Sequence, residues 1–224
     1  MMDINTLKAE NLFDLGGSVL GEKLREYTFP WEILPQLKKI LPALGEAMKE
    51  QGYQEIAPQV WVAEDVTIAP SASIQGPCII GAGTEIRHCA YIRGNVLIGS
   101  KCVVGNSSEL KNCVLFDLVQ VPHYNYVGDA ILGKGAHLGA GSIISNLKSD
   151  KKNIVLSMNG ETLETGLRKF GAMVGDWVEV GCGSVLNPGT IIGRESRVYP
   201  LSCVRGIVPE KHIFKQADKI VPIL

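Results

Sequence analysis

The chain has 224 residues, and 46% of them are hydrophobic, which is enough apolar material for a sizeable core in one or two domains. Its 22 basic and 23 acidic residues give a net charge of -1, so no basic field argues for nucleic acid or a membrane surface as partner. The start of the chain has neither a basic nor an apolar leader, and we expect a soluble, cytoplasmic protein. The six cysteines lack metal-site spacing, so we predict reduced thiols and no metal.

The first 56 residues show helical periodicity. In the segment FPWEILPQLKKILPALGEAMKEQG, apolar residues recur at three- and four-residue intervals, at Leu34, Leu37, Leu41, Leu44 and Met48. We therefore predict a helical N-terminal cap over residues 1–56. This cap would cover the open first coil of the structure that follows, or it would contact a neighbouring subunit.

Residues 57–208 carry an internal repeat of six residues. An apolar residue opens ten consecutive hexads, at Val62, Ile68, Ile74, Ile80, Ile86, Ile92, Ile98, Val104, Leu110 and Phe116. The position four places later is nearly always small or β-branched, so two side chains in six point inward. This pattern suits neither a helix nor a simple alternating strand. It predicts a mainly β protein, a parallel β-helix with three hexads in each triangular coil.

The repeat is interrupted twice. From Phe116 the next inward residue is Leu132, sixteen residues on instead of eighteen, which predicts a register slip over residues 117–126. The second break, at 147–171, contains Asn159-Gly160, the preferred two-residue hairpin turn, and predicts a β-hairpin arm that projects from the β-helix. The hexads resume from Val174 to Val204, and residues 209–224 are predicted to form a C-terminal cap.

The hexads IIGAGT, LIGSKC, LGAGSI and IIGRES resemble those of hexapeptide-repeat acyltransferases, whose fold is a left-handed β-helix. More narrowly, HYNYVGDAILGKGAHLGAGSIISN (123–146) and ETGLRKFGAMVGD (164–176) are similar to the C-terminal acetyltransferase domain of bifunctional sugar-1-phosphate nucleotidylyltransferase/acetyltransferases, in their archaeal-type branch. Those enzymes make UDP-N-acetylglucosamine. The resemblance covers roughly residues 57–208 and does not extend to the nucleotidylyltransferase half, which 55 N-terminal residues are too few to house.

The resemblance implies an acetyl-CoA-dependent N-acetyltransferase that acts on a hexosamine 1-phosphate or a related aminosugar nucleotide. His123 matches the family's general base, a task that suits imidazole. Tyr126 and Asn146 match positions that contact the sugar, and backbone amides around Gly139 to Gly141 would face the thioester carbonyl. A lone histidine or a Gly-Ala-Gly corner has an ordinary structural explanation, so the surrounding motif carries this interpretation.

The resemblance assigns the sugar phosphate to basic residues. Arg93 and Lys111 fall at the family's two basic positions, and Lys152 matches a further one. Arg93 and Lys111 are eighteen residues apart, which is one coil, so they should stack on the same face independently of the family. Like charges stacked about 5 Å apart repel, and a bound phosphate would relieve that repulsion.

For the coenzyme, the resemblance points to small residues beside a groove. Ala140, Ala172 and Cys182 would let the pantetheine arm lie between coils, and Arg168 at the base of the hairpin arm would reach a phosphate. Two departures bear on the fit. His137 stands where the bacterial enzymes carry a sugar-contacting asparagine, and Leu201 replaces a frequent glycine.

Other functions of the same fold make different demands on the sequence. A γ-class carbonic anhydrase would need a second histidine five residues after His123, which is missing. A non-catalytic sugar-phosphate sensor, or an assembly partner of a separate nucleotidylyltransferase, stays open, and so does the identity of the acceptor sugar. By analogy with the family we predict a homotrimer, with a neighbour's residues, from the Arg168-Lys169 arm, completing the His123 site.

Overall fold

The computed structural model of the protein describes residues 3–16, 20–158, 160–216 and 219–222. The chain forms a left-handed parallel β-helix of about nine turns. Each strand within the coils pairs in parallel with a strand of the neighbouring coil, typically eighteen residues away, as in Val60 with Cys78. Within the described part, no helix is both long and apolar enough to cross a membrane.

Three faces make up the β-helix. The first, here named the covered face, consists of strands Val60–Val62, Cys78–Ile80, Val96–Ile98, Ala172–Val174, Thr190–Ile192, Ile207–Val208 and the ends of Glu109–Leu115 and Tyr126–Leu132. The second face consists of strands Thr67–Ile68, Glu85–Ile86, Val103–Asn106, Gln120–His123, His137–Leu138, Glu179–Val180, Arg197–Val198 and His212–Gln216. The third face consists of strands Ser73–Ile74, Tyr91–Ile92, Ile143–Ile144, Val185–Leu186, Cys203–Val204 and the beginnings of Glu109–Leu115 and Tyr126–Leu132.

The interior of the coils is a column of buried aliphatic side chains that follows the hexads. Inward residues such as Ile80, Ile98 and Val174 are at most 1% exposed. The buried thiols of Cys78, Cys102 and Cys113 belong to the same column, and burial raises the pKa of each. These cysteines therefore act as small apolar core residues.

The predicted register slip at 117–126 is wrong. Leu115, and not Phe116, lies in the inner core, while Phe116 points outward and stacks on Phe13 with ring centroids 5.4 Å apart. From Leu115 the hexads continue unbroken to Val121 and Val127. The repeat instead shortens by one residue at two corners, inside the continuous strands Glu109–Leu115 and Tyr126–Leu132. Both corner residues, Asn112 and Asp129, have a φ of 49°.

The N-terminal residues lie along the covered face and not across the open first coil. They form short helices at Ile4–Leu7, Ala9–Leu12, Gly21–Leu24, Pro30–Gln36 and Lys49–Gln51, and one longer helix at Leu37–Met48. Their apolar side chains, including Leu12, Trp31 and Leu41, pack on outward residues of the covered face such as Leu97 and Ile131. The predicted end cap is thus a cover over one side of the β-helix.

The predicted hairpin arm is present as antiparallel strands Val155–Met158 and Glu161–Glu164. Its predicted turn residue Asn159 lies outside the described residues. The arm does not project freely, because Leu156 is buried in the same apolar cluster as the N-terminal helices. One antiparallel strand lies at each end of the β-helix. Strand Gln54–Ala57 pairs with the first coil strand, Val60–Val62, and strand Lys219–Pro222 pairs with the last, His212–Gln216.

Candidate active site

His123 lies at the edge where the second face meets the third. It ends the strand Gln120–His123, and its side chain is exposed. Its carbonyl oxygen accepts from the Gly141 N–H at 2.9 Å, and the Ala140 carbonyl accepts from the Gly183 N–H at 2.8 Å. His123, Ala140 and Cys182 therefore stand in register on three successive coils. We name this row the site edge.

The corners beside the site edge carry little side-chain bulk. Gly141 and Gly183 have φ values of 71° and 68°, a conformation that glycine adopts without strain. Exposed Tyr124 and Leu201 stand at the two ends of this glycine row. We name the strip of low side-chain bulk between Tyr124 and Leu201, beside His123, Ala140 and Cys182, the groove.

The amides of the Gly-Ala-Gly corner are mostly engaged within the fold. The Gly139 N–H donates to the Val180 carbonyl at 2.7 Å, and the Gly141 N–H donates to His123. Ala140 keeps the one N–H of the three without a hydrogen bond in the described part of the chain. Any donor from this corner to a thioester carbonyl is therefore the Ala140 amide.

Ala172 does not line the groove, which corrects the sequence prediction. It belongs to a strand of the covered face, and its side chain is 0% exposed within the inner core. The prediction rested on residue size alone, and size does not distinguish an inward alanine from one beside a groove. Cys182 is exposed in the row of His123 and Ala140, and its contact with the coenzyme stays a prediction.

Four more of the predicted site residues lie on the strands of the third face or just after them, namely Arg93, Lys111, Tyr126 and Asn146. The Arg93 N–H donates to the Leu110 carbonyl at 2.8 Å, so Arg93 lies beside Lys111 of the next coil, as the eighteen-residue spacing predicts. Lys111 pairs in turn with Gly128, two residues after Tyr126. A Cβ at Gly128 would lie 2.5 Å from the Tyr126 hydroxyl, so glycine allows the tyrosine to lie across the strand.

The sequence predicted repulsion between the stacked cations Arg93 and Lys111. In the structure each of these cations is instead paired with a carboxylate. Arg93 Nη1 lies 2.8 Å from Glu109 Oε1, and Lys111 Nζ lies 3.0 Å from Asp129 Oδ2. The hydrogen bond that the Arg93 guanidinium donates to Glu109 raises the pKa of Arg93. Two carboxylates therefore already balance the two positive charges.

Asp129 is a site residue that the sequence interpretation missed. It is 4% exposed, and its carboxylate accepts from Lys111 Nζ, from Asn112 Nδ2 at 2.8 Å and from Asn146 Nδ2. The Asn146 amide also lies 3.4 Å from the Tyr126 hydroxyl. A buried carboxylate with three donors thus connects most of the predicted sugar and phosphate residues.

Tyr126 remains a neutral phenol near neutral pH. Burial is the largest cause that raises the pKa of its hydroxyl, and the nearby carboxylates of Asp129 and Glu109 add to it. The hydroxyl can therefore both donate and accept a hydrogen bond at the third face.

Arg168 and Lys152 lie on the loops that flank Asn146. The Phe170 N–H donates to the Asn146 carbonyl at 3.0 Å, and Leu147 forms an isolated β-bridge with Lys169, so the base of the hairpin arm lies near Asn146. Arg168 itself is exposed. Lys152 is exposed too, and its backbone N–H donates to Asp150.

His137 lies on the second face and pairs with Glu179. Its Nδ1 is 2.7 Å from Glu179 Oε2, so the carboxylate fixes the orientation of the ring. Among the described residues, no group of three or more His, Cys, Asp or Glu side chains is arranged to hold a metal ion.

Comparison with known proteins places this geometry in a family. Residues 74–221, more than half of the chain, match the family model described as the GMPPB C-terminal domain. The chain belongs to this family. A GMPPB C-terminal domain accounts for most of the β-helix, including both edges of the third face, and leaves the N-terminal helices outside the match.

Two relatives are longer proteins. The bifunctional sugar-1-phosphate nucleotidylyltransferase/acetyltransferase of Sulfurisphaera tokodaii is 32% identical over 189 residues, which are 83% of this chain and 47% of the relative. The bifunctional protein GlmU of Methanococcus maripaludis is 31% identical over 214 residues, 92% of this chain and 51% of the relative. The chain spans about half the length of these curated relatives.

Solved structures show a more distant similarity. A mutant of the N-acyltransferase AntD from Bacillus cereus, in complex with dTDP and coenzyme A, is 17% identical, with a TM-score of 0.43 and coverage of 78% of this chain and 85% of that one. A mutant perosamine N-acetyltransferase from Caulobacter crescentus, in complex with CoA and GDP-perosamine, is 16% identical, with a TM-score of 0.38 and coverage of 84% and 72%.

Proposed function

We propose that this chain is an acetyl-CoA-dependent N-acetyltransferase whose acceptor is a hexosamine 1-phosphate or a related aminosugar nucleotide. The observation that carries the proposal is the position of His123 between two different surfaces. On one side runs the groove past Ala140 and Cys182, and on the other lies the third face with Tyr126, Lys111 and Asn146. The names of the two bifunctional relatives support the same activity.

In the proposed reaction, the neutral amine of the sugar attacks the thioester carbonyl of acetyl-CoA. A C–N bond forms, the C–S bond breaks, and the amine proton passes through the His123 imidazole to the departing thiolate. An exposed imidazole is accessible to both substrates, and the Ala140 N–H is available to the developing oxyanion.

The acceptor phosphate is assigned to Arg93 and Lys111, with Lys152 as a third cation from the loop. Because each of the first two already has a carboxylate partner, a phosphate would share the cations with Glu109 and Asp129. Charge-assisted hydrogen bonds are shorter and stronger than neutral ones, so they would hold the phosphate in a defined position.

We further propose a homotrimer in which a neighbouring subunit closes the groove and Arg168 reaches the coenzyme. Two of the three faces are free of the N-terminal cover, and exposed Tyr124 and Leu201 flank the groove. A single molar mass corresponding to one chain, measured by light scattering at micromolar concentration, would contradict this part of the proposal.

The test is acetyl transfer followed by mass spectrometry, since thiol-release assays are confused by six cysteines. Acetyl-CoA is offered with glucosamine 1-phosphate, galactosamine 1-phosphate and their uridine diphosphate forms. We expect transfer to one acceptor, and a loss of about 10²- to 10⁴-fold in His123→Ala, the usual contribution of a general base. The matched control is His88→Ala, an exposed histidine two coils earlier that bonds Asn106, which should keep full activity.

Transfer that survives in His123→Ala would remove the proposed base. Folded protein that transfers to none of the acceptors would favour the alternative, a non-catalytic sugar-phosphate-binding protein or an assembly partner of a nucleotidylyltransferase. Calorimetric binding of the same acceptors without acetyl-CoA separates these two alternatives.

A further inference from the structure

Asp129 occupies a corner that the chain makes with one residue fewer than at most corners. Leu110 and Leu115 are successive inward residues five apart, and Val127 and Leu132 repeat this spacing one coil later. The shortened corners place Asn112 and Asp129 in register, both with a φ of 49°, between Lys111 with its pair Gly128 and Cys113 with its pair Ala130. A departure from the repeat at this point needs an explanation beyond the packing of the coils.

The carboxylate of Asp129 determines which way its partners face. An ionised carboxylate can only accept hydrogen bonds, so the amide nitrogens of Asn112 and Asn146 must point toward it. The side-chain carbonyl oxygen of Asn146, Oδ1, must then point away from Asp129, and it has no hydrogen bond within the described residues. This oxygen is left as an acceptor beside the Tyr126 hydroxyl.

The same carboxylate holds the ammonium of Lys111. Both Asp129 oxygens lie within reach of Lys111 Nζ, at 3.0 and 3.2 Å, and Lys111 is only partly exposed. An ammonium has three donors, and two contacts to one carboxylate leave at least one N–H for another anion. Lys111 is therefore positioned as a donor, while the carbonyl of Asn146 is positioned as an acceptor.

We propose that Asp129 is the positioning residue of the acceptor site. Through Lys111 and Asn146 it prepares a donor for an anionic phosphate next to an acceptor for a hydroxyl or amino hydrogen of the sugar. The proposal deepens the function proposed above and rests on it. It selects acceptors that carry a hydrogen-donating group beside their phosphate, and it assigns Asp129 no part in binding acetyl-CoA.

The test is Asp129→Asn, which keeps the shape and tolerates a positive φ. Three donors then compete for one oxygen, and Asn146 loses its fixed orientation. We expect the KM for the acceptor to rise about 10- to 100-fold, with kcat within about threefold and the KM for acetyl-CoA unchanged. The matched control is Asp176→Asn, another fully buried carboxylate with several donors that lies on the covered side, which should leave the acceptor KM unchanged.

A second variant keeps the proposal testable if Asp129→Asn does not fold. Asn112→Gly removes one donor to Asp129 at a corner where glycine is comfortable, and we expect the acceptor KM to rise about threefold. An unchanged acceptor KM in both variants, or an equal loss in kcat and in both KM values, would overturn the proposal.

Calorimetric binding of glucosamine 1-phosphate separates this inference from the proposed function. If wild type binds the sugar phosphate without transferring acetyl, the acetyltransferase proposal fails. In that case weaker binding by Asp129→Asn still supports the positioning role, and equal binding by the two proteins contradicts it.

Discussion

The covered face and the third face are built from the same coils and differ in what points outward. On the covered face the outward residues are apolar, such as Trp61, Leu97 and Ile131, and the N-terminal helices bury them. On the third face they include charged residues such as Arg93 and Lys111, which remain partly exposed. One backbone repeat thus supports two unlike surfaces.

The two faces contribute differently to the stability of the fold and to its chemistry. Burial of apolar surface stabilises a fold by about 25 cal/mol per Å², so the covered face adds a second core to the inner one. The solvent-exposed pair of Arg93 and Glu109 contributes about 0 to 1 kcal/mol, so it adds little to stability. The third face can therefore carry a functional site at small cost to the fold.

The largest effect on stability is expected for Trp31→Ala on the covered side. Trp31 is 1% exposed and lies between Phe29 and Phe170, with ring centroids 4.6 and 5.5 Å away. Loss of a fully buried indole leaves a cavity and should lower the free energy of unfolding by about 3 to 5 kcal/mol. Urea unfolding followed by fluorescence or circular dichroism measures this change.

The control for Trp31→Ala is Leu201→Ala, a large apolar residue that is 86% exposed beside the groove. We expect its unfolding free energy to stay within about 0.5 kcal/mol of wild type. Equal losses in the two variants would mean that the covered face is not a second core.

Asp176→Asn should weaken the attachment of the N-terminal segment. The Asp176 carboxylate is fully buried and accepts from the Asp14 N–H at 2.6 Å, from the Lys134 N–H at 2.7 Å and from Arg194 at 2.8 Å. Asparagine offers one acceptor oxygen to these donors, so we expect a loss of about 2 to 3 kcal/mol and faster proteolysis of the N-terminal segment. Asp117→Asn, at the corresponding corner two coils earlier with one bond to the Ser100 N–H, should lose less.

The difference in unfolding free energy between wild type and Asp176→Asn should depend on pH. Burial raises the pKa of the Asp176 carboxyl above its ordinary value. A raised pKa means that the folded state binds the proton more tightly, so this group's stabilisation is fully present below the ordinary carboxyl pKa of about 3.9 and is lost as the pH rises through the folded value. Wild type should therefore exceed Asp176→Asn by more at about pH 4 than at about pH 7. A difference that grows with pH would contradict this assignment.

The fold was predictable from the sequence because the inward position repeats every six residues over most of the chain. The phase was lost at Phe116, since Leu115 and Phe116 are both large and apolar and periodicity cannot choose between them. A signal for the covered face was also present. Strands such as VWV, CII and VLI are apolar at three consecutive positions, which indicates burial on both sides of the strand.

The sequence suggested most residues of the candidate site, but it did not suggest Asp129 or the contacts between these residues. The resemblance named His123, Tyr126 and Asn146, and the spacing placed Arg93 beside Lys111. The carboxylate partners could not be derived in the same way, because Glu109 and Asp129 reach these cations from neighbouring coils whose register depends on the shortened corners. Their discovery required the three-dimensional structure.

The smallest effect on stability is expected for Glu109→Gln on the third face. The pair with Arg93 is solvent-exposed, at 43% and 33% of the two side chains, so its loss should change the unfolding free energy by less than about 1 kcal/mol. Catalysis should respond differently. Glu109 competes with an acceptor phosphate for the Arg93 guanidinium, so we expect the acceptor KM to fall about two- to fivefold.

Glu85→Gln is the matched control for Glu109→Gln, because Glu85 pairs with Arg87 on the second face at 2.8 Å and is exposed to a similar degree. It should change neither the unfolding free energy nor the acceptor KM. A rise in KM for Glu109→Gln would show instead that the carboxylate holds Arg93 in the orientation that binds phosphate. Either result, at nearly constant stability, contrasts with the covered face, where the loss of one buried ring costs several kcal/mol and leaves the chemistry of the folded molecules unchanged.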